Sequence, residues 1–138
     1  MAEAGRRALD RSGAWDGMFV SVRDDQSPRI HPVNVGIVHG RLLVFVQATS
    51  GKARDLREDG RYALHAMQNP AEPHEFLVRG RAVAVTDAAL RADAVAVWPF
   101  HPGDEYPLFE LDIEHALFGE RASPDDWPPV YTSWKPAP

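Results

Sequence analysis

RLLVFVQATSGKARDL, residues 41 to 56, is the most informative stretch of this sequence. It begins with an apolar, β-prone run behind a His-Gly turn signal, which predicts a strand over Arg41–Gln47. A short polar turn follows, and helix-compatible residues then predict a helix over Gly51–Asp59 that ends at Gly60. The stretch therefore predicts a strand, a Ser/Thr/Gly turn and a helix in immediate succession.

The turn between this strand and this helix has the chemistry of an anion site. A helix N-terminus presents unpaired backbone N–H groups and the positive end of the helix dipole. Thr49 and Ser50 add hydroxyls, Gly51 permits close approach to the backbone, and Lys52 adds a positive charge. A simpler interpretation, in which Ser50 caps the helix and Lys52 is solvated, carries more weight on this segment alone, because such caps are common.

Composition restricts the function classes. The chain has 138 residues, 44% hydrophobic and 25% charged, which fits a single globular domain. The absence of cysteine excludes disulfides, thiol nucleophiles and Cys-based metal sites. A net charge of −5 argues against a nucleic-acid binder. The first residues lack the apolar core of a signal peptide and no apolar run approaches the ~20 residues of a membrane span, so we expect a cytoplasmic protein without membrane contact.

Hydrophobic periodicity along the remaining chain predicts a mainly β fold. Helices are expected at residues 1–14 and 87–97, and residues 124–138 form an extended Pro-rich tail. Short, closely spaced strands favour a six-stranded antiparallel barrel with two or three peripheral helices in one domain, residues 1–138. Besides Arg41–Gln47, the predicted strands are Trp15–Arg23, Arg29–His39, Arg61–Gln68, Glu75–Thr86 and Leu108–Leu117.

The order of these segments resembles the FMN-binding split-barrel family that includes pyridoxamine 5'-phosphate oxidase. The matching motifs are Pro28-Arg29-Ile30-His31-Pro32-Val33, then Ser50-Gly51-Lys52 with a helix ending in Leu56, then Val78-Arg79-Gly80-Arg81-Ala82. The ordered set, over residues 15 to 118, carries the resemblance, since no single motif is specific.

Two departures from the oxidase concern its substrate. Gly51 stands where the oxidase has an arginine in its phosphate turn, and the tail WPPVYTSWKPAP lacks a C-terminal Arg-x-His pair. The resemblance therefore implies the fold and a flavin-type cofactor more strongly than a pyridoxamine substrate.

The resemblance also implies where the cofactor binds. It implies a homodimer with FMN, or a related deazaflavin, at the dimer interface, and a two-electron transfer involving a small organic molecule. Ser50, Gly51 and Lys52, aided by Thr49, would hold the phosphate. The residues expected along the ribityl chain and ring are His31, Val33 and Asn34 on one strand, and Val46 and Gln47 on the next.

The sequence contains no recognisable catalytic or metal-binding constellation. It has no Gly-x-Ser-x-Gly elbow, its paired acids fall in turn clusters, and none of its six histidines forms a zinc-type pair. We therefore predict no metal site and no obligatory catalytic side chain, which fits chemistry done by a cofactor.

Several alternatives stay open at this level. His31 is either beneath the flavin ring or an exposed edge-strand histidine, and His65 is most simply a barrel-wall residue. For the function, the alternatives are a true pyridoxamine phosphate oxidase, which the missing arginines disfavour, and a non-catalytic flavin- or haem-binding carrier or sensor.

Overall fold

The computed structural model describes residues 16–138, so the helix predicted for residues 1–14 lies outside the described part of the chain. Seven strands and two helices follow one another along this part. They are β1 (Asp16–Val22), β2 (Pro28–Val38), β3 (Arg41–Phe45), α1 (Gly51–Glu58), β4 (Arg61–Ala66), β5 (Glu75–Ala84), α2 (Ala88–Val97), β6 (Leu108–Glu120) and β7 (Val130–Trp134).

Six of the strands close into a barrel. The sheet order is β3-β2-β1-β4-β5-β6, every pairing is antiparallel, and a further pairing of β3 with β6 closes the ring. Side chains alternate between the interior and the outer face, as in β1, where Phe19 and Ser21 are buried. The predicted six-stranded antiparallel barrel is therefore confirmed.

Strand β3 is buried on both faces. Leu42 and Val44 belong to the barrel core, whereas Leu43 and Phe45 pack outward against α2 and the residue that follows it, Trp98. The rings of Phe45 and Trp98 meet edge to face with centroids 4.8 Å apart. Burial on both sides explains why this strand is continuously apolar instead of alternating.

The C-terminal tail adds a seventh strand that the sequence analysis did not predict. β7 pairs with the end of β6, from Ala116↔Trp134 to Glu120↔Val130. The turn before it is held by Arg121, which donates to the backbone carbonyls of Pro124 and Asp126. The tail is thus attached to the barrel by its backbone, while Trp127 remains 74% exposed.

The barrel opens where β2 and β3 separate. Their ladder runs only from Val35↔Val44 to Val38↔Arg41. Beyond it the chain after β3 bonds to the loop before β6, with Val46 N–H donating to the Pro107 carbonyl at 3.1 Å. Within residues 16–138, the first half of β2 pairs with β1 alone, so one strand edge faces a cleft. Pro32 lies on this half of β2. Because proline has no backbone N–H, it leaves no donor unpaired at this edge.

A β-bulge at Gly80 is required by close backbone packing. The register between β5 and β6 shifts between Arg79 and Gly80, which marks the bulge. A Cβ at position 80 would lie 2.0 Å from the carbonyl oxygen of Asp112. Because that neighbour is backbone in a paired strand, it cannot move aside without disturbing the ladder.

Gly80→Ala should therefore lower the free energy of unfolding by about 1–3 kcal/mol, as overpacking does in well-packed sites. Urea denaturation measures the change. Gly103→Ala is the matched control, because a Cβ there meets only the side chain of Glu105, which is exposed and can rotate away. Equal stability of Gly80→Ala and the parent protein would contradict this account of the bulge.

Candidate functional site

The cleft between β2 and the chain after β3 contains a cavity of about 230 Å³. Five residues predicted to contact a cofactor line it, namely Val33, Asn34, Val46, Gln47 and Lys52. Pro32, Phe45, Phe100 and Tyr106 complete the lining. An adjoining cavity of about 290 Å³ shares Pro32, Val33 and Asn34 and adds Asp16 and Met67.

His31 lies on the same face of β2 as Val33. Its cross-strand partner is Phe19, which points into the barrel core, and neighbours in a ladder share a face. The imidazole is half-buried and does not line the cavity itself.

The predicted phosphate turn begins α1, and its hydroxyl is used by the helix. Ser50 Oγ accepts from the backbone N–H of Ala53 at 3.2 Å and donates to the Gln47 carbonyl at 2.7 Å. The capping interpretation is therefore correct for the Ser50 side chain. Thr49, Ser50 and Gly51 lie in this turn but do not line the cavity, whereas Lys52 does.

Arg29 is the site residue that the sequence analysis missed. A Cβ at Gly51 would lie 2.4 Å from the Arg29 Cζ, and 2.6 and 2.8 Å from its two Nη atoms. The guanidinium from β2 thus occupies the space beside Gly51. The sequence could have indicated this contact, because it has a glycine in the turn, Gly51, and an arginine in the Pro28-Arg29 motif.

A buried carboxylate holds this guanidinium in place. Arg29 Nε donates to Asp55 Oδ2 at 2.9 Å, and the hydroxyl of Ser21 donates to the same oxygen at 2.6 Å. Asp55 is only 2% exposed and lies on α1, so the pair also ties this helix to β1 and β2. Both Nη groups of Arg29 remain beside the start of α1.

The positive groups at this end of the cleft act on one another. Desolvation, and then the charge of Arg29, lowers the pKa of Lys52. Desolvation also lowers the pKa of His31, followed by the charges of Lys52, Arg29 and Arg23. In both shifts desolvation is the largest cause and neighbouring positive charge the next, and an anion would oppose that charge. The electrostatics therefore favour a negatively charged ligand.

An aromatic wall faces the other end of the cleft. Phe100 and Tyr106 lie with ring centroids 5.5 Å apart in the loop between α2 and β6. Arg91 on α2 fixes this loop by donating to the carbonyls of Tyr106 at 2.8 Å and Gly103 at 2.9 Å. Its guanidinium also lies 5.2 Å from the centroid of the Phe45 ring. The aromatic side chains that a planar apolar ligand would contact are therefore held in place by the protein itself.

Two further findings concern residues 16–138 only. No group of three or more His, Cys, Asp or Glu side chains in this range is arranged to hold a metal ion. None of the helices in this range has the length and apolar character needed to cross a membrane.

Comparisons with known proteins identify the fold. No protein-family model matches the sequence, and no curated protein matches it. A haem-binding protein from Mycobacterium smegmatis superimposes with a TM-score of 0.72 at 15% identity, over 98% of this chain and 58% of that one. This chain therefore spans little more than half the length of that protein.

Two other solved structures share the fold at similar distance in sequence. A candidate pyridoxamine 5'-phosphate oxidase from Listeria innocua gives a TM-score of 0.66 at 12% identity, over 83% of this chain and 94% of that one. PhzG from Burkholderia lata, solved with tetrahydrophenazine-1-carboxylic acid, gives a TM-score of 0.62 at 13% identity, over 97% of this chain and 90% of that one. The chain therefore has the split-barrel fold of the pyridoxamine 5'-phosphate oxidase-like proteins.

Proposed function

We propose that this protein is a cytoplasmic oxidoreductase that binds FMN, or a deazaflavin with the same ribityl phosphate, in the cleft between β2 and β3. The observation that carries the proposal is the group of Arg29, His31 and Lys52 at the start of α1, next to a cavity with an aromatic wall. The likeness in fold to a candidate pyridoxamine 5'-phosphate oxidase supports the same class of cofactor.

The phosphate would bind at the start of α1. Ser50 already occupies the N–H groups of Ala53 and Arg54 with its hydroxyl and carbonyl, so the N–H groups of Gly51 and Lys52 have no partner among the described residues. The Nη groups of Arg29 lie beside Gly51 and supply a fork that suits phosphate oxygens. Arg29, which lies on β2, would thus take the place of the arginine that is absent from the turn before α1.

The ring would lie along the open edge of β2. Val33 and Val46 offer apolar contact, the amides of Asn34 and Gln47 offer hydrogen bonds, and Phe100 and Tyr106 border the far side. The Asn34 amide is oriented because its Nδ2 donates to the Asp16 carboxylate. A bound flavin supplies the electron-transfer chemistry, and these residues would bind it, orient it and limit the access of water.

A second copy of the chain would complete the site. The outward face of β1 and β2 carries Met18, Val20, Ile30 and Pro32, and Ile30 is 61% exposed. Large apolar side chains exposed around a cleft are typical of an interface. We therefore propose a homodimer with a cofactor at the interface and a small-molecule substrate.

A second candidate function is a haem- or flavin-binding carrier without turnover. The likeness in fold to a haem-binding protein favours it, as does His31, whose lowered pKa leaves more of the neutral imidazole that iron prefers. Absorbance of the purified protein separates the two ligands, because a Soret band indicates haem and bands that bleach under reductant indicate flavin. Turnover with a nicotinamide donor then separates an enzyme from a carrier.

Lys52→Ala should weaken FMN binding by ~10- to 150-fold, because one charge-assisted contact with phosphate contributes about 1.5–3 kcal/mol. Fluorescence titration measures the affinity. Riboflavin, which lacks the phosphate, should bind the parent protein weakly and respond little to the substitution.

Lys135→Ala is the matched control, because Lys135 is the only other lysine and lies exposed after β7. Equal losses of FMN and riboflavin affinity in Lys52→Ala, or no binding of either by the parent protein, would refute the phosphate site.

FMN binding should raise the pKa of His31. In the free protein desolvation and nearby positive charges lower this pKa below the ordinary 6.5, and a phosphate would oppose those charges and favour the imidazolium. NMR titration of the imidazole signals with and without FMN measures the shift. Riboflavin should not raise the pKa, and an unchanged or lower value with FMN would place the phosphate elsewhere.

The protein should be a dimer in solution, with a mass twice the 15.3 kDa of one chain. Light scattering measures it. Ile30→Glu should shift the population toward monomer, because it puts a charge on the proposed interface. Val97→Glu is the control, since Val97 is also exposed but ends α2. A parent protein that is monomeric with saturating FMN would contradict the dimer.

A further inference from the structure

A separate cavity of about 400 Å³ lies on the outer face of the barrel and shares no lining residue with the cleft. Strand register brings its residues together in two neighbouring rows. His65, Leu77 and Leu117 are successive partners on β4, β5 and β6. Glu75, Gly119 and Tyr131 are successive partners on β5, β6 and β7. The tail strand thus supplies one wall.

Gly119 makes room for the polar end of this cavity. A Cβ at this position would lie 2.7 Å from Glu75 Oε2 and 2.8 Å from Tyr131 Cε1. The carboxylate and the phenol ring therefore both lie over the glycine. Any larger residue on β6 would push them apart.

The carboxylate of Glu75 has an oxygen without a donor. Its Oε2 is buried and forms no hydrogen bond with any described residue. Buried polar atoms nearly always have a partner, so this oxygen marks the place of a missing donor. Interaction with the same carboxylate and desolvation raise the pKa of Tyr131, so the phenol lies close to Glu75.

The histidine on the opposite side presents a second acceptor. His65 Nδ1 lies 2.7 Å from the carbonyl oxygen of Ala66, and a carbonyl can only accept. Nδ1 therefore carries a proton, and in the tautomer with a single proton Nε2 is left as an acceptor. The cavity thus offers two hydrogen-bond acceptors, on Glu75 and His65, together with the apolar side chains of Leu77 and Leu117. A ligand with several N–H donors and an apolar part would fit both features.

We propose that this cavity binds a small amphipathic amine. The ammonium group lies between Glu75 and His65, and the apolar part rests on Leu77, Leu117 and the Tyr131 ring. A cation gains from both the carboxylate and the face of an aromatic ring. The volume of about 400 Å³ falls in the range of roughly 300–1,000 Å³ that small-molecule sites occupy. This site does not depend on a flavin in the cleft.

The test uses 2-phenylethylamine as the probe and 2-phenylethanol as its neutral analogue. Each is titrated into the full chain while the methyl NMR signals of Leu77 and Leu117 are followed. The parent protein should bind the amine about 10-fold or more tightly than the alcohol, because the charged donor meets a carboxylate. Glu75→Gln should bring the two affinities to within about twofold of each other.

Two further variants sharpen the test. Glu72→Gln makes the same change of charge at an exposed loop residue outside the cavity, and it should keep the preference for the amine. Tyr131→Ala should weaken both probes, because it removes an apolar wall, while the amine remains the better ligand. Thermal melting confirms that each variant is folded.

Three results would overturn the proposal. The first is a parent protein that binds the alcohol as tightly as the amine. The second is a Glu75→Gln variant that keeps the preference. The third is the absence of any response in the two leucine methyl groups at saturating probe, which would mean that the amine does not enter the cavity.

Discussion

The buried carboxylate of Asp55 is the interaction on which the candidate cofactor site depends. A charge removed from water must be paired, and Asp55 is paired with Arg29 and Ser21. This pairing attaches α1 to β1 and β2, and it places a guanidinium beside Gly51. Removing Arg29 would leave an unpaired buried charge, a change that costs about 3–5 kcal/mol in known cases. A contribution of Arg29 to ligand binding would therefore be inseparable from its contribution to folding, whereas Lys52 forms no ion pair with any residue from 16 to 138.

The separation of β2 from β3 follows from how β3 is buried. Its inward side chains fill the barrel and its outward ones, Leu43 and Phe45, pack on α2. After Phe45 the chain bonds to the loop before β6, so within residues 16–138 the first half of β2 pairs with β1 alone. The same helix that covers β3 also carries Arg91, which fixes the loop bearing Phe100 and Tyr106. The packing of α2 on β3 thus accounts for both the cleft and the position of the aromatic wall.

Local patterns in the sequence were sufficient for the barrel, because alternation and turn residues act over a few positions. The helix start at Ser50 is of this kind. The place of Arg29 was not predictable in this way, since it depends on the register of β2 against β1 and on the position of α1 in space. The pairing of β7 with β6 is another such case. The tail has Pro-rich composition, and only the unpaired edge at the end of β6 makes part of it a strand.

The two cavities have opposite electrostatic character, and this has a consequence for binding. The cleft presents Lys52 beside Arg29 and His31, which favours anions. The outer cavity presents a carboxylate oxygen of Glu75 that has no donor among residues 16–138, which favours cations. Because the linings of the cleft and the outer cavity share no residue, the two proposed ligands would not compete for the same side chains. If β1 and β2 dimerise as proposed, the amine cavity lies on the same outer face, in the ladder row that runs from Pro32 and Met18 to His65 and Leu77. A bound amine would then lie close to the dimer interface.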